Sequence, residues 1–363
     1  LDALETPESR ANPLALGENR LPAAQRFAEN GAGGFLSDGR YSIDIEKNAF
    51  PPAPWCNILA NDSFGALLTE RGGGFLWAGS SRTGRITEFT NDPLYDGWGW
   101  MLYLYDEEAR ACARLLPGRE GAFRCVYSPY ECVYRFEAEQ LSGEVAVLVN
   151  AGDAQMRIHA TLRSPIARRA RLIGFVDWLM GADRLDARAT RTWTRAGACF
   201  ASGSMPGTGY FACADARAQA GGERNAFLGR GGILNPEGIG APVARTGGWR
   251  IEVPIAMRPD APVRADWALG WAENENIARE KARRFSENPN YERVRESAAA
   301  EWQLRMGALR VSTPNAAVDR MMNVWLLHQT LSSRIRARTG FYQPGGAYGF
   351  RDQLQDMLAL LPS

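Results

Sequence analysis

Residues 271–285, WAENENIAREKARRF, decide how the whole chain is to be read. Up to Ala272 the sequence favours strands, and from Glu275 it turns polar, charged and helical in period. Before that reversal, short runs with period-2 alternation or β-branched and aromatic content recur. They include RCVYS from Arg124, CVYRFEA from Cys132, EVAVLV from Glu144, MRIHATL from Met156 and RLIGFVDW from Arg171. Turn clusters separate the runs: GAGG from Gly31, SDG from Ser37, GGG from Gly72 and GSMPG from Gly203. Many short strands without intervening helices predict a large antiparallel sandwich over residues 1–272.

Beyond the reversal, residues 275–285 and 291–306 read as two helices of a linker, 273–310, laid over a surface. Thr313 and Pro314 then read as an N-cap followed by proline at the first helical position. Val318, Met321, Met322, Trp325, Gln329 and Ser332 follow at helical spacing. A loop rich in glycine and tyrosine, 339–349, leads to a last helix, FRDQLQDMLALL from Phe350. Its Arg351, Asp352, Gln355 and Asp356 share one side, and Phe350, Leu354, Met357, Leu358 and Leu361 share the other. Residues 311–363 are therefore expected to open an α-helical domain. Its apolar stripe is still unpaired where the sequence stops, the pattern expected of a truncated chain.

Composition narrows the function. Across 363 residues, 42 basic side chains balance 41 acidic ones, and lysine occurs only at 47 and 281. The one dense basic stretch, Arg168, Arg169 and Arg171, reads as a polar strand edge rather than a phosphate-backbone footprint, so nucleic acid is not an expected partner. No run is long enough to span a bilayer and the first residues carry no secretory signal, so no membrane contact is expected. Six cysteines without a CxxC pair, beside only two histidines, predict buried thiols of a cytoplasmic protein and no metal site. A P-loop, a completed GxGxxG and a GxSxG elbow are absent, and His159 and His328 read as packed or surface residues. The stretch NDPLYDGWGW, 91–100, concentrates aromatics and acids. Tyr95, Asp96, Trp98 and Trp100 read there either as a sugar-contact loop or as a loop capping the sandwich.

Four stretches carry a resemblance: NGAGGFLSDGR from Asn30, PPAPWCN from Pro51, Trp77 through Asn91, Asp92 and Pro93, and WLLHQT from Trp325 onward through Asp356. In these the chain resembles glycoside hydrolase family 94. That family comprises the inverting cellobiose, chitobiose and 1,2-β-oligoglucan phosphorylases and the matching module of cyclic β-1,2-glucan synthases. The wording is closest to the glucan-synthase and oligoglucan-phosphorylase branch. The resemblance implies a β-supersandwich, a helical linker and an (α/α)6 barrel whose first helices begin at residue 311. It further implies that Arg351 and Asp352 bind hydroxyls of the sugar in the −1 subsite, with Arg338 a weaker candidate for the same wall. Gln355 and Asp356 either bind sugar or brace Arg351.

The chemistry implied is phosphorolysis of a β-linked gluco-oligosaccharide. Inorganic phosphate is the co-substrate, with no other cofactor, and the product is an α-sugar 1-phosphate. Phosphate is already anionic and needs no general base, so one carboxylic acid suffices. In the family that acid lies in a later segment, so no residue of this chain is assigned a catalytic role. A homodimer is implied by the resemblance alone. The competing expectations are a non-catalytic carbohydrate-binding or dimerisation module, and a hydrolase on the same type of barrel.

Overall fold

A computed structural model describes residues 11–45, 50–92, 97–117, 122–307, 310–340, 345 and 349–361. Among the described residues the strands form three sheets, antiparallel except where Asn12–Pro13 pairs in parallel with Ala111–Arg114. The largest has ten strands. It runs from Arg191–Arg195 at one edge through Ala198–Ser202, Thr208–Cys213, Val263–Ala272, Gln155–Arg163, Ser142–Val149, Glu131–Glu137, Phe123–Tyr127 and Tyr41–Ile45 to Gly33–Phe35. A six-stranded sheet centres on Trp100–Asp106, Arg168–Val176 and Arg250–Met257, and a five-stranded sheet on Phe64–Thr69 and Gly74–Ala78. The sequence expectation of a large antiparallel supersandwich is what the chain forms.

The sheets meet through one continuous apolar core. Phe211 and Trp267 stack at 5.4 Å on the ten-stranded sheet. Gly174 of the six-stranded sheet lies directly against them: a Cβ there would stand 2.6 Å from Phe211 and 2.8 Å from Trp267. The run from Arg171 does not stay in one sheet. Strand Arg168–Val176 ends at the buried Asp177, and Trp178–Gly181 continues in the five-stranded sheet. Arg224 holds that corner by donating from Nε and Nη2 to the two Asp177 carboxylate oxygens at 2.6 and 2.8 Å. The basic stretch also departs from expectation. It sits on a central strand, where Arg168 pairs with Asp106 at 2.7 Å and Arg171 with Glu252 and Glu107.

The linker helices are Glu275–Glu287 and Tyr291–Met306, both capped by asparagine side chains. The first buries Ala278, Ala282 and Phe285 against the ten-stranded sheet, and Lys281 pairs with Asp153 at 2.7 Å. Tyr291 opens the second by donating to Glu131 Oε1 at 2.9 Å. The next helix starts later than Thr313 and Pro314 suggest: Asn315 is the cap, accepting from the Ala317 and Val318 N–H groups. Thr313 instead accepts from the Asn315 N–H, so its hydroxyl shapes the turn before the helix. From Ala316 the chain stays helical to Ala337, with wider π-type turns over Met321–Trp325 and Thr330–Ala337. The buried Trp325, His328, Ser332 and Ala337 are spaced three, then four, then five apart. The last interval suits a widened turn and keeps one face of the helix on the sandwich. Among the described residues no helix is long and apolar enough to cross a membrane.

Candidate functional site

The site is built on the far end of this long helix. His328 anchors the helix to the sandwich. Its ring is fully buried, edge-on to Trp302 at 4.9 Å and to Trp325 at 5.8 Å. Asn57 donates from Nδ2 to the Ser128 carbonyl at 2.8 Å, which leaves Asn57 Oδ1 facing His328 Nε2 at 2.9 Å. Nε2 therefore carries the hydrogen, and Nδ1 accepts from the Ser332 hydroxyl at 3.2 Å. Burial, and secondarily the Arg336 charge, push the imidazole down to about 3. Its place is that of a packed histidine. His159 is likewise engaged, with Nδ1 2.8 Å from Asp266 and its ring 5.2 Å from Tyr291.

One turn past Ser332 the helix end is clamped. Arg336 donates to the Ala60 carbonyl at 2.6 Å and to Glu301 at 3.0 Å, joining sandwich, linker and helix. Ser81 donates to the Ala337 carbonyl at 2.6 Å. Arg338 then takes a left-handed conformation, φ 52°, and donates from Nη2 to the Gly79 carbonyl at 3.3 Å. The sandwich thus sets where the helix stops and where Arg338 lies.

Helix Phe350–Met357 carries the residues of the polar stripe. Arg351 and Asp352 form an ion pair at 3.2 Å with side chains 82% and 57% exposed, and Gln355 is exposed beside them. Asp356 pairs with Arg334, which fastens this helix to the long one. Sequence reasoning missed Arg334 as the partner of Asp356, because nothing links residues 22 positions apart until the chain folds back. Among the candidate residues the structure joins Arg351 with Asp352, and Asp356 with the anchoring Arg334. Arg338 is held by sandwich backbone instead. The opposite face of the helix, led by Phe350 at 89% exposure, is open among the described residues.

The proposed sugar-contact loop divides. Tyr95 and Asp96 lie outside the described residues. Trp98 and Trp100 are 8% and 1% exposed in the sandwich core, and Trp98 Nε1 donates to the Arg71 carbonyl at 3.0 Å. Enclosed rings have no face to offer a sugar, which corrects the expectation for these two. They are packing residues of the sandwich.

Comparison with known proteins agrees with this architecture. The model for the glycosyl hydrolase 94 supersandwich domain matches residues 39–288, and that for the glycosyl hydrolase 94 superfamily catalytic domain matches 301–362. The chain is 30% identical to the cyclic beta-(1,2)-glucan synthase NdvB of Rhizobium meliloti over 92% of its own length and 12% of that protein's. It is 22% identical to the N,N'-diacetylchitobiose phosphorylase of Vibrio proteolyticus over 90% of its length and 44% of the relative's. A solved structure described as a kojibiose phosphorylase from human microbiome superposes with a TM-score of 0.51 at 9% identity, over 86% of this chain and 43% of that one, a likeness of fold. The chain therefore spans less than half the length of each of these proteins. With one family model covering most of the sandwich and a second covering the C-terminal helices, the chain belongs to the glycosyl hydrolase 94 family.

Proposed function

We propose that this chain is part of an inverting phosphorylase acting on β-linked gluco-oligosaccharides of the β-1,2-glucan or cellobiose type, reversibly forming an α-sugar 1-phosphate. The observation that carries the reading is the Arg351–Asp352 pair, solvent-facing on the first turn of a helix whose position the sandwich and Arg334 set. A planar guanidinium donates, and a carboxylate accepts, in fixed directions that suit vicinal hydroxyls. The helix N-terminus also favours the Asp352 charge. Arg338 and Gln355 extend the same sugar-binding wall, and Asp356 braces it through Arg334.

In this scheme phosphate attacks the anomeric carbon from the face opposite the leaving oxygen, a carboxylic acid protonates that oxygen, and the configuration inverts. No residue of this chain is assigned that acid. Asp352 and Asp356 are each engaged by an arginine, the arrangement of binding carboxylates. The chain contributes the sandwich and part of the −1 subsite, the helices from residue 311 beginning the barrel, within a homodimer.

The test is phosphate release from α-glucose 1-phosphate by the whole protein of which this chain is part, offered glucose, cellobiose, sophorose and longer β-1,2-glucans as acceptors. Release that depends on one acceptor supports phosphorolysis and identifies the linkage. Glucan binding without release from any acceptor would replace this reading with that of a carbohydrate-binding module.

A further inference from the structure

The sandwich and the first half of the long helix enclose a cavity of about 400 Å³ that the site above leaves unused. Its walls are rings. Phe35 and Tyr41 meet edge to face at 5.3 Å, and Tyr41 lies 6.3 Å from Trp55 and 6.4 Å from Trp325. These rings are held before any ligand arrives. Trp325 Nε1 donates to the Gly39 carbonyl at 3.1 Å. The Trp55 N–H donates to Glu70 Oε2 at 2.7 Å, and its carbonyl accepts from the Tyr127 hydroxyl at 2.7 Å.

The polar groups are few and uncharged. Asn30 and Gln329 stand at the exposed rim. Asn30 Oδ1 accepts from the Gly33 N–H at 3.2 Å, which leaves its amide hydrogens for another acceptor. The Tyr41 hydroxyl lies beside the Asn30 side chain and is closed off from solvent, so it shapes the wall rather than meeting a ligand. Among the described residues no charged side chain lines the cavity. Arg26, whose charge reaches Tyr41, is already paired with Asp44 and Glu29, so a phosphate, nucleotide or carboxylate would lose its water there without gaining a free counter-charge. Flat apolar walls with a neutral hydrogen-bonding rim suit a ligand with one apolar face and an edge of hydroxyls, which is a pyranose ring. The volume is at the lower end of ligand sites, roughly 300–1,000 Å³, so it suits the end of an oligosaccharide.

We propose that this cavity is a second carbohydrate site, binding a neutral pyranosyl unit stacked on the half-buried Trp55, with Asn30 and Gln329 at the exposed rim meeting its hydroxyls and the buried Trp325 forming the floor behind. It lies along Met321 to Gln329, whereas Arg334 fastens the Arg351–Asp352 helix near the other end of the same long helix. Its role would be to retain glucan near the reaction site. That the sugar belongs to a gluco-oligosaccharide rests on the function proposed above, while its neutrality and ring shape rest on the lining alone.

Titration of the purified protein with sophorose, cellobiose and short β-1,2-gluco-oligosaccharides, followed by tryptophan fluorescence and calorimetry, tests this. The expected result is saturable binding that Trp55→Ala weakens about tenfold and Gln329→Ala about threefold, as for loss of a stacking anchor and of a rim contact. Asp352→Asn leaves that component in place. Gln329 is exposed on a helix flank, so its variant folds even where Trp55→Ala does not, and circular dichroism verifies this. Wild-type affinity and stoichiometry in Gln329→Ala and in any folded Trp55 variant would overturn the proposal, as would no binding of any neutral sugar. The two readings separate cleanly. Loss of binding in the cavity variants, with no phosphate release by the whole protein from any acceptor, sinks the phosphorylase and keeps the cavity. Acceptor-dependent release with unaltered cavity variants does the reverse.

Discussion

The Ser81 hydroxyl donates to the main-chain carbonyl of Ala337 across 2.6 Å, so a loop of the five-stranded sheet caps a helix 256 positions later in the chain. Both residues are fully buried, and water cannot replace the bond. Ser81→Ala is expected to cost about 1–3 kcal/mol, the price of leaving a buried carbonyl unsatisfied. Denaturant melts of the two proteins measure it, and an unchanged midpoint would show that the cap is dispensable.

His328 makes the junction between helix and sandwich sensitive to acid. Its folded value of about 3 lies below the ordinary 6.5, because burial and the Arg336 charge disfavour the imidazolium. Above pH 6.5 both folded and unfolded forms are neutral at this site and no stability is lost. As pH falls from 6.5 towards 3 the unfolded chain takes up a proton that the folded chain refuses, so stability drops, by at most about 1.4 kcal/mol per pH unit. His328→Gln is expected to lower stability at pH 7.5 yet flatten its decline towards pH 5. Thermal melts across that range check this, and parallel curves for the two proteins would exclude His328 as the source.

Gly174 faces Phe211 and Trp267 at distances no Cβ tolerates. Gly174→Ala must push two sheets apart or turn two stacked rings, at about 1–3 kcal/mol, the usual cost of overpacking. Near-ultraviolet circular dichroism should report the displaced rings together with the lower melting temperature. A variant as stable as the parent would mean that the sheets slide more easily than their contacts indicate.

Arg351→Ala and Asp352→Ala remove exposed side chains and should change stability by no more than about 0.5 kcal/mol. Binding of β-linked gluco-oligosaccharide at their end of the long helix should nevertheless fall at least tenfold in each. Calorimetry beside a melting curve separates the effects, and intact binding in both variants would remove these residues from the sugar site.

Much of the architecture was legible because it is written in local periodicity. The reversal near residue 274 marks where strand Val263–Ala272 gives way to helix Glu275–Glu287, and the second linker helix spans Tyr291–Met306 as its spacing suggests. Aromatic content was less informative. Every residue of Trp100–Asp106 is buried, so a ring on that strand reports a sheet covered on both faces, which composition near a loop cannot reveal. The helix start was misplaced by two residues because Thr313 and Asn315 are both good caps and only the folded turn shows which is used. At the site, the sequence picks out Arg351 and Asp352 as a pair, yet the anchors that place them, Arg334, Arg336 and Ser81, act over long separations that no local pattern encodes.

The strand Arg191–Arg195 closes one side of the ten-stranded sheet, with half of its backbone hydrogen-bonding groups turned outward. Such a border is a template for another chain, and a sheet this wide would invite stacking into fibres. Here the border is five residues long and has an arginine at each end, both exposed. An incoming strand would bring its own backbone against two fixed positive charges and find few pairing positions between them. At this border, then, the short strand and its two terminal arginines work against polymerisation along so broad a sheet.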